Sequence, residues 1–169
     1  AAAALLVTAV GLKSPPVFAA GTDSPPPADE KKDKKKGSAI EEQEQKLAQE
    51  KFLRGYRAAR EMILSGDYKA GIAAMHALGH DEHADVANYI GYANRKMGDY
   101  DQSKIWYEAA LKSDPSHTRT WQYYGLWQLE QGNRLKAEDH LEKIRMICGT
   151  ACEDYVTLKH AIVEGKVSY

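Results

Sequence analysis

Glycines recur 34 residues apart in the second half of this chain, and their neighbours keep the same register. Gly91 is followed at this distance by Gly125, where the sequence YIGY becomes YYGL, and Gly98-Asp99 is followed by Gly132-Asn133. A period of 34 residues, with a small residue within a helix and Gly at a turn, is typical of stacked helix–turn–helix hairpins. Such hairpins bury their apolar faces only by stacking, which leaves a long concave surface that commonly binds a partner.

This period predicts an all-α fold, a right-handed α-solenoid of about three hairpins with an N-terminal helix and a C-terminal capping helix. The predicted hairpins cover residues 52–83, 84–117 and 118–149, and the cap helix covers residues 150–164. Each turn Gly can adopt the left-handed conformation that ends one helix, while Asp67, Asp99 or Asn133 caps the next. Thr150 and Glu153 have the spacing of a capping box, which would begin the cap helix.

The composition fits one soluble domain with a tail. The chain has 169 residues, of which 43% are hydrophobic and 28% are charged, and its formal net charge is -1. This balance provides no overall basic field, so we do not expect a nucleic-acid partner. The chain contains six prolines, and Pro115 is the only one after residue 27. The remainder can therefore be helical almost throughout.

The first twenty residues have the pattern of a secretory signal peptide. A short apolar run at residues 1–12 is followed by a V-x-A site that would be cleaved after Ala19. Neither an initiator Met nor a basic segment precedes the run, so we expect the signal to be truncated at its start. Export, most simply to the periplasm, is the prediction; an uncleaved segment that anchors the chain in the membrane is the alternative. Membrane contact is expected through this segment alone.

Residues 21–37, GTDSPPPADEKKDKKKG, predict a disordered linker because they combine Pro and charge with no large apolar residue. Order is expected from Ser38 onward. Ser38 and Glu41 have capping-box spacing and would begin a long N-terminal helix. The predicted repeat domain therefore covers residues 38–169.

The repeat resembles the tetratricopeptide repeat (TPR) family. The middle unit carries the resemblance best, with Gly91 within its first helix, Gly98-Asp99-Tyr100 at its turn and Asp114-Pro115 at its end. The third unit keeps Trp121 and Gly125 but has Gly149 in place of the closing Pro. The resemblance implies a non-catalytic adaptor, exported and bacterial, that binds a peptide or protein segment in a concave groove.

If the register of the family holds, the first helix of each unit supplies the side chains that face this groove. The resemblance places these side chains in three groups, which together mix aromatic, Arg and amide groups that could hold an extended peptide. The predicted partner-binding residues are Tyr56, Arg60, Asp85, Asn88, Tyr92, Arg95, Arg119, Gln122, Leu126 and Leu129. Trp106, Trp121, Tyr68 and Tyr100 are expected to pack within and between the hairpins instead.

Two other groups of residues could carry chemistry. Cys148 and Cys152 are the only cysteines, and in an exported protein this C-x3-C pair most simply forms a disulfide that pins the cap helix. A redox-active pair is the alternative, although the spacing is not C-x-x-C. His76 and His80 have a spacing seen in metal sites, but Gly79 should end their helix and leave His80 in a loop.

Taken together, these patterns predict a protein-interaction scaffold that needs no cofactor or metal and catalyses no reaction. No Ser/His/Asp or Cys/His motif is recognisable in the sequence. Two alternatives from other classes stay open: a thiol-redox accessory protein that uses the Cys pair, and a self-assembling structural protein that forms homo-oligomers.

Overall fold

The computed structural model describes the backbone of residues 28–165 and the side chains of residues 39–165. The chain divides into two compact units, Ala1–Glu42 and Gln43–Tyr169. Of the first unit, the structure describes residues 28–42, which are helical. The predicted signal peptide, residues 1–20, lies outside the described residues.

The described part of the chain is all helical. The helices are α1 (Ala28–Leu64), α2 (Tyr68–His76), α3 (Ala84–Lys96), α4 (Tyr100–Ser113), α5 (Thr118–Glu130), α6 (Arg134–Cys148) and α7 (Glu153–Glu164). The C-terminal part of α1 pairs with α2, α3 pairs with α4 and α5 pairs with α6, so the three predicted hairpins and the capping helix are present. No helix between residues 28 and 165 combines the length and hydropathy needed to cross a bilayer.

The turn within each hairpin follows the prediction from the glycine period. Gly66, Gly98 and Gly132 adopt φ angles of 93°, 83° and 76°, a backbone region that residues with a Cβ rarely adopt. Asp67 and Asp99 then cap α2 and α4, each accepting a hydrogen bond from a backbone N–H three residues later. These glycines and aspartates therefore end one helix and start the next at a fixed separation.

Two predicted helix starts and one predicted cap contact differ from the structure. Helix α1 begins at Ala28, so residues 28–37 of the predicted linker are helical and no helix begins at Ser38; residues 21–27 lie outside the described residues. The Ala, Glu and Lys residues of this stretch favour helix despite their charge. Helix α7 begins at Glu153, because Cys152 takes the extended N-cap conformation in place of Thr150. Asn133 occupies the N-cap of α6 but makes no side-chain hydrogen bond there.

The core follows the stacking of the hairpins in three clusters. The first joins α1, α2 and α3 through residues such as Ile63, Met75 and Ile90, all fully buried. The second joins α5, α6 and α7, with Ile144 and Leu158 at its centre. Tyr107, Tyr124 and Trp127 form the third. Tyr68, Trp106, Trp121 and Tyr100 pack against these clusters, as predicted.

Candidate functional site

Two adjoining clefts lie where the first helices of successive hairpins present their side chains. The first cleft, of about 350 Å³, is lined by Tyr56, Arg60, Asp85, Tyr89, Asp114, Ser116, His117, Thr118, Arg119 and Asp154. The second, of about 240 Å³, is lined by Tyr92, Arg119, Gln122, Tyr123, Leu126, Glu153, Asp154 and Thr157. Arg119 and Asp154 line both clefts, which therefore adjoin; the two clefts together are called the groove, and they draw on α1, α3, α5 and the start of α7.

A row of tyrosines runs along this groove. The ring centroids of Tyr56 and Tyr89 lie 6.0 Å apart, those of Tyr89 and Tyr92 lie 6.4 Å apart, and those of Tyr92 and Tyr123 lie 5.1 Å apart. Tyr89 and Tyr123 are separated by one 34-residue period, so the repeat itself places equivalent rings side by side. Tyr89 is 2% exposed and belongs to the core, so the partly exposed Tyr56, Tyr92 and Tyr123 supply the aromatic surface of the groove.

The hydroxyls of Tyr56, Tyr92 and Tyr123 remain protonated at neutral pH. Burial raises the pKa of Tyr123 to about 12, with a smaller contribution from neighbouring Tyr89. Burial also raises the pKa values of Tyr56 and Tyr92. A protonated hydroxyl can both donate and accept a hydrogen bond. These groups can therefore pair with the N–H and C=O groups of an extended peptide.

Two arginines stand beside the central tyrosine of the row. The Nε atom of Arg60 donates a 2.6 Å hydrogen bond to the hydroxyl oxygen of Tyr89, and its guanidinium carbon lies 5.4 Å from the centroid of the Tyr89 ring. Arg119 lines the same cleft and interacts electrostatically with Tyr89. The first cleft therefore carries two guanidinium groups, one of which is hydrogen-bonded to the Tyr89 hydroxyl.

Three carboxylates also line the first cleft, and each is held by a neighbour. Asp85 Oδ1 lies 3.1 Å from His117 Nε2, and this hydrogen bond holds the pKa of the Asp85 carboxyl below its ordinary value. Asp154 accepts a 2.6 Å hydrogen bond from the hydroxyl of Thr118. Asp114 accepts hydrogen bonds from both the backbone N–H and the hydroxyl of Ser116. These bonds fix the loop between the second and third hairpins against the groove.

The structure brings seven of the ten predicted partner-binding residues into these two clefts. They are Tyr56, Arg60, Asp85, Tyr92, Arg119, Gln122 and Leu126. Leu129 packs instead against the core cluster of α5, α6 and α7.

The predicted groove positions of Asn88 and Arg95 are wrong, because both side chains are buried between helices. Asn88 is fully buried and accepts a hydrogen bond from the Thr120 hydroxyl at 3.1 Å. The Arg95 side chain is fully buried, where it forms an ion pair with Glu130 at 2.8 Å and donates a hydrogen bond to the carbonyl of Tyr123. Both residues join α3 to α5 and therefore hold neighbouring hairpins together.

Several residues of the groove were not predicted. Tyr89 and Tyr123 share one position of the 34-residue period, and this repetition of a polar aromatic residue was a signal that could have identified them. Asp154 and Thr157 belong to α7, which was predicted only as a cap. No feature of the sequence predicts that the first two turns of α7 face the groove.

A separate, more apolar depression lies on the first hairpin, apart from these two clefts. It has a volume of about 510 Å³, and Phe52, Gly55, Leu78 and His80 are among its lining residues. It is formed by a single hairpin and its closing loop, whereas the tyrosine-lined groove draws on all three hairpins.

The predicted histidine and cysteine pairs lie outside both clefts. His76 ends α2 and its Nδ1 lies 2.8 Å from Asp81, while His80 lies in the loop after Gly79, as predicted. Among the described residues no three His, Cys, Asp or Glu side chains are arranged to hold a metal ion. The Sγ atoms of Cys148 and Cys152 lie 2.02 Å apart between α6 and α7. Formation of this disulfide in the cell stays a prediction.

Comparison with known proteins identifies the fold. No family model matches the chain, and no curated protein is significantly similar to it in sequence. Solved structures of the type III secretion translocator chaperone SycD from Yersinia enterocolitica are similar to it. One has a TM-score of 0.60 at 17% identity and covers 69% of this chain and 84% of that chain. An alternative dimer has a TM-score of 0.59 at 19% identity, covering 69% and 89%.

A further SycD structure contains a ligand. SycD in complex with a peptide of the translocator YopD has a TM-score of 0.58 at 18% identity, covering 69% of this chain and 89% of that chain. At these identities the likeness concerns the fold alone. The chain therefore has the TPR-like, all-helical solenoid fold that its glycine period predicts.

Proposed function

We propose that this protein is a non-catalytic scaffold or chaperone that binds an extended segment of another protein along its tyrosine-lined groove. The observation that carries the proposal is the pair of adjoining clefts, lined by three partly exposed tyrosines and two arginines and formed by the repeated helices. Tyr and Arg are the residue types that most often dominate binding energy at protein interfaces. The similar fold of SycD, solved with a translocator peptide, supports the same use of this fold.

Affinity capture with the full chain as bait tests this proposal. We expect the double substitution Tyr92→Ala, Arg119→Ala to lose the proteins that the unaltered chain captures from extracts of its own cells. Arg145 and Val156 are exposed and lie outside both clefts, so Arg145→Ala, Val156→Ala is the matched control. Unchanged capture by the groove variant, with an unchanged helical circular dichroism spectrum, contradicts the proposal.

Export to the periplasm is part of the same proposal. Its support is the apolar run and the V-x-A site within residues 1–20, which lie outside the described residues. Cell fractionation with N-terminal sequencing should find a mature chain that begins at Ala20. A chain that keeps residues 1–20 in the membrane fraction would support the anchored alternative, and a cytoplasmic chain would contradict both.

Self-assembly is the second candidate function. Leu47 on α1 is 58% exposed and Leu53 is 37% exposed, so this helix carries apolar side chains that a second copy could cover. SycD, which has a similar fold, has been solved as an alternative dimer. Light scattering across a range of concentrations decides the question, because a monomer at every concentration excludes it.

Redox activity of Cys148 and Cys152 stays an alternative without further support. A reduction potential below about −300 mV is that of a stable structural disulfide and would exclude it.

A further inference from the structure

Arg60 carries a charge that no carboxylate balances. Its side chain is half-buried in the first cleft, and its Nε atom is engaged by the neutral hydroxyl of Tyr89. Within residues 39–165, no Asp or Glu forms an ion pair with it. A half-buried guanidinium has lost part of its hydration, and its remaining N–H groups still need acceptors. Arg60 can therefore bind an anionic group through these N–H groups.

Arg119 is the second arginine that lines the first cleft. Its side chain is 40% exposed, and its Nε atom lies 3.7 Å from Asp154 Oδ1, so its charge is only partly compensated. Both arginines line the first cleft, and Arg60 is hydrogen-bonded to the Tyr89 hydroxyl. The two guanidinium groups can therefore reach one ligand bound in this cleft.

The acidic side of the cleft restricts what this ligand can be. Asp85, Asp114 and Asp154 line the same space, although each is already held by a neighbouring donor. Their charges would repel a doubly charged phosphate strongly, while a singly charged carboxylate placed beside Arg60 faces half of that repulsion. Of these two anionic groups, the carboxylate is therefore the better fit.

We propose that the first cleft binds the side-chain carboxylate of an Asp or Glu within the bound segment, held mainly by Arg60 and completed by Arg119. The inference rests on the proposed peptide-binding function and adds a specificity to it. Planar guanidinium groups pair with carboxylates through two parallel hydrogen bonds, which fixes both the position and the orientation of the acid. A segment anchored in this way continues past Arg119 into the second cleft.

The test begins with peptides selected from a random library. Linear peptides of about twelve residues, displayed on phage as N-terminal fusions, have no free C-terminal carboxylate. Selection against the full chain should therefore enrich an Asp or Glu at one recurring position. Selected peptides are then synthesised with acetylated and amidated ends, each in an acidic form and in the matching Asn or Gln form.

Binding of these peptide pairs is compared between the unaltered chain and Arg60→Gln. We expect the acidic form to bind the unaltered chain about tenfold more tightly than its amide form, a typical effect of one charge-assisted contact. Arg60→Gln should bind both forms equally. Arg57 lies on the same helix and is exposed, so Arg57→Gln should keep the tenfold preference. Circular dichroism verifies that both variants are folded, and Arg60→Lys should keep part of the preference.

Each outcome bears on one of the two claims. Equal binding of the acidic and amide forms to the unaltered chain overturns the carboxylate inference and leaves groove binding intact. A preference that survives Arg60→Gln overturns the site that we assign to it. If a peptide with a phosphorylated residue at the acidic position binds more tightly than its carboxylate form, that result contradicts the argument that the three Asp side chains disfavour a doubly charged group. If no peptide binds at all, the proposed function itself fails, and the inference fails with it.

Discussion

At Gly91 helices α3 and α4 approach so closely that a methyl group does not fit. A Cβ atom added to Gly91 would lie 2.8 Å from Cδ1 of the Tyr107 ring and 3.3 Å from the backbone oxygen of Ser103. Tyr107 is fully buried, so its ring has no space into which it can move. We expect Gly91→Ala to lower the free energy of unfolding by about 2 kcal/mol, measured by urea denaturation.

Gly55 is the matched control for this prediction. It also lies within a helix, but an added Cβ would meet one atom alone within 4 Å, the terminal Cδ2 of Leu78 at 2.6 Å. Leu78 is only partly buried, and its methyl group can rotate away. Because Ala favours helix over Gly by about 1 kcal/mol, Gly55→Ala should leave stability unchanged or raise it. Equal destabilisation by both substitutions would contradict this account of the packing.

His140 makes the stability of the third hairpin depend on pH. Its ring is buried against Trp121 and Tyr124, and its Nδ1 has no hydrogen-bond partner. Burial lowers the pKa of His140 from its ordinary value near 6.5 to about 4. In the unfolded chain the ring binds a proton more readily, so stability is present above about pH 6.5 and is lost as pH falls toward 4.

The substitution His140→Phe isolates this effect. Between about pH 7 and pH 4.5 the unaltered chain should lose about 2 kcal/mol more unfolding free energy than the variant does. His160 is exposed, so His160→Phe should keep the full pH dependence and serves as the control. Urea denaturation at both pH values measures the difference. The same loss in the unaltered chain and in His140→Phe would show that another group is responsible.

Asn88 and Arg95 show that the position of a residue in the repeat is not sufficient to predict that its side chain faces the groove. Their positions in the repeat pointed to the groove, yet both are drawn into the contact between α3 and α5. Asn88 accepts a hydrogen bond from the Thr120 hydroxyl, and Arg95 donates one to the Glu130 carboxylate, 35 residues away. A polar residue can be buried when a distant partner accepts or donates a hydrogen bond, although Nδ2 of Asn88 has no such partner. The period alone does not reveal such a partner, whereas the tyrosines keep their place because they repeat.

Among the helices, α7 contributes both to the core and to the groove. Leu158 and Ile162 pack against α5 and α6, while Asp154 in the first turn lines both clefts. Asp154 lies two residues after Cys152, so the position of this groove wall depends on how the start of α7 is held. A disulfide between Cys148 and Cys152 would fix it to the end of α6.

The double substitution Cys148→Ala, Cys152→Ala tests this role of the disulfide. The bond closes a short loop, so we expect a loss of about 2 kcal/mol at most in unfolding free energy. Backbone amides in the first turns of α7 should exchange with deuterium faster, while those of α3 and α4 should not change. Reduction of the unaltered chain should reproduce both effects. If the oxidised and reduced chains exchange identically, the disulfide does not hold α7.

Helix boundaries were predicted best where Gly and Asp act together. Gly66-Asp67 and Gly98-Asp99 end and start helices at the predicted residues, because a positive φ and a capping carboxylate are local requirements. The start of α1 was predicted ten residues too late. Charge and proline argued for disorder there, but residues 28–37 contain mostly good helix formers, and a helix needs no buried face to continue from an existing one.

For the chain as a whole, the 34-residue period was sufficient to predict the stacked hairpins, because each unit can bury its apolar face only against its neighbours. The same stacking places equivalent helices side by side, and this explains why most of the predicted groove residues meet. Asp154 and Thr157 could not be predicted from the period. They lie on a helix beyond the last repeat, and its orientation depends on packing around Leu158.

Amide chemical-shift mapping by NMR tests groove binding most directly. The full chain, labelled with 15N, is titrated with an acidic peptide selected as above. We predict that the largest shifts occur around Tyr56 and Arg60 in α1, in α3 and α5, and at the start of α7. Shifts concentrated on α4 and α6, or on the apolar depression around Phe52 and Leu78, would contradict binding in the tyrosine-lined groove.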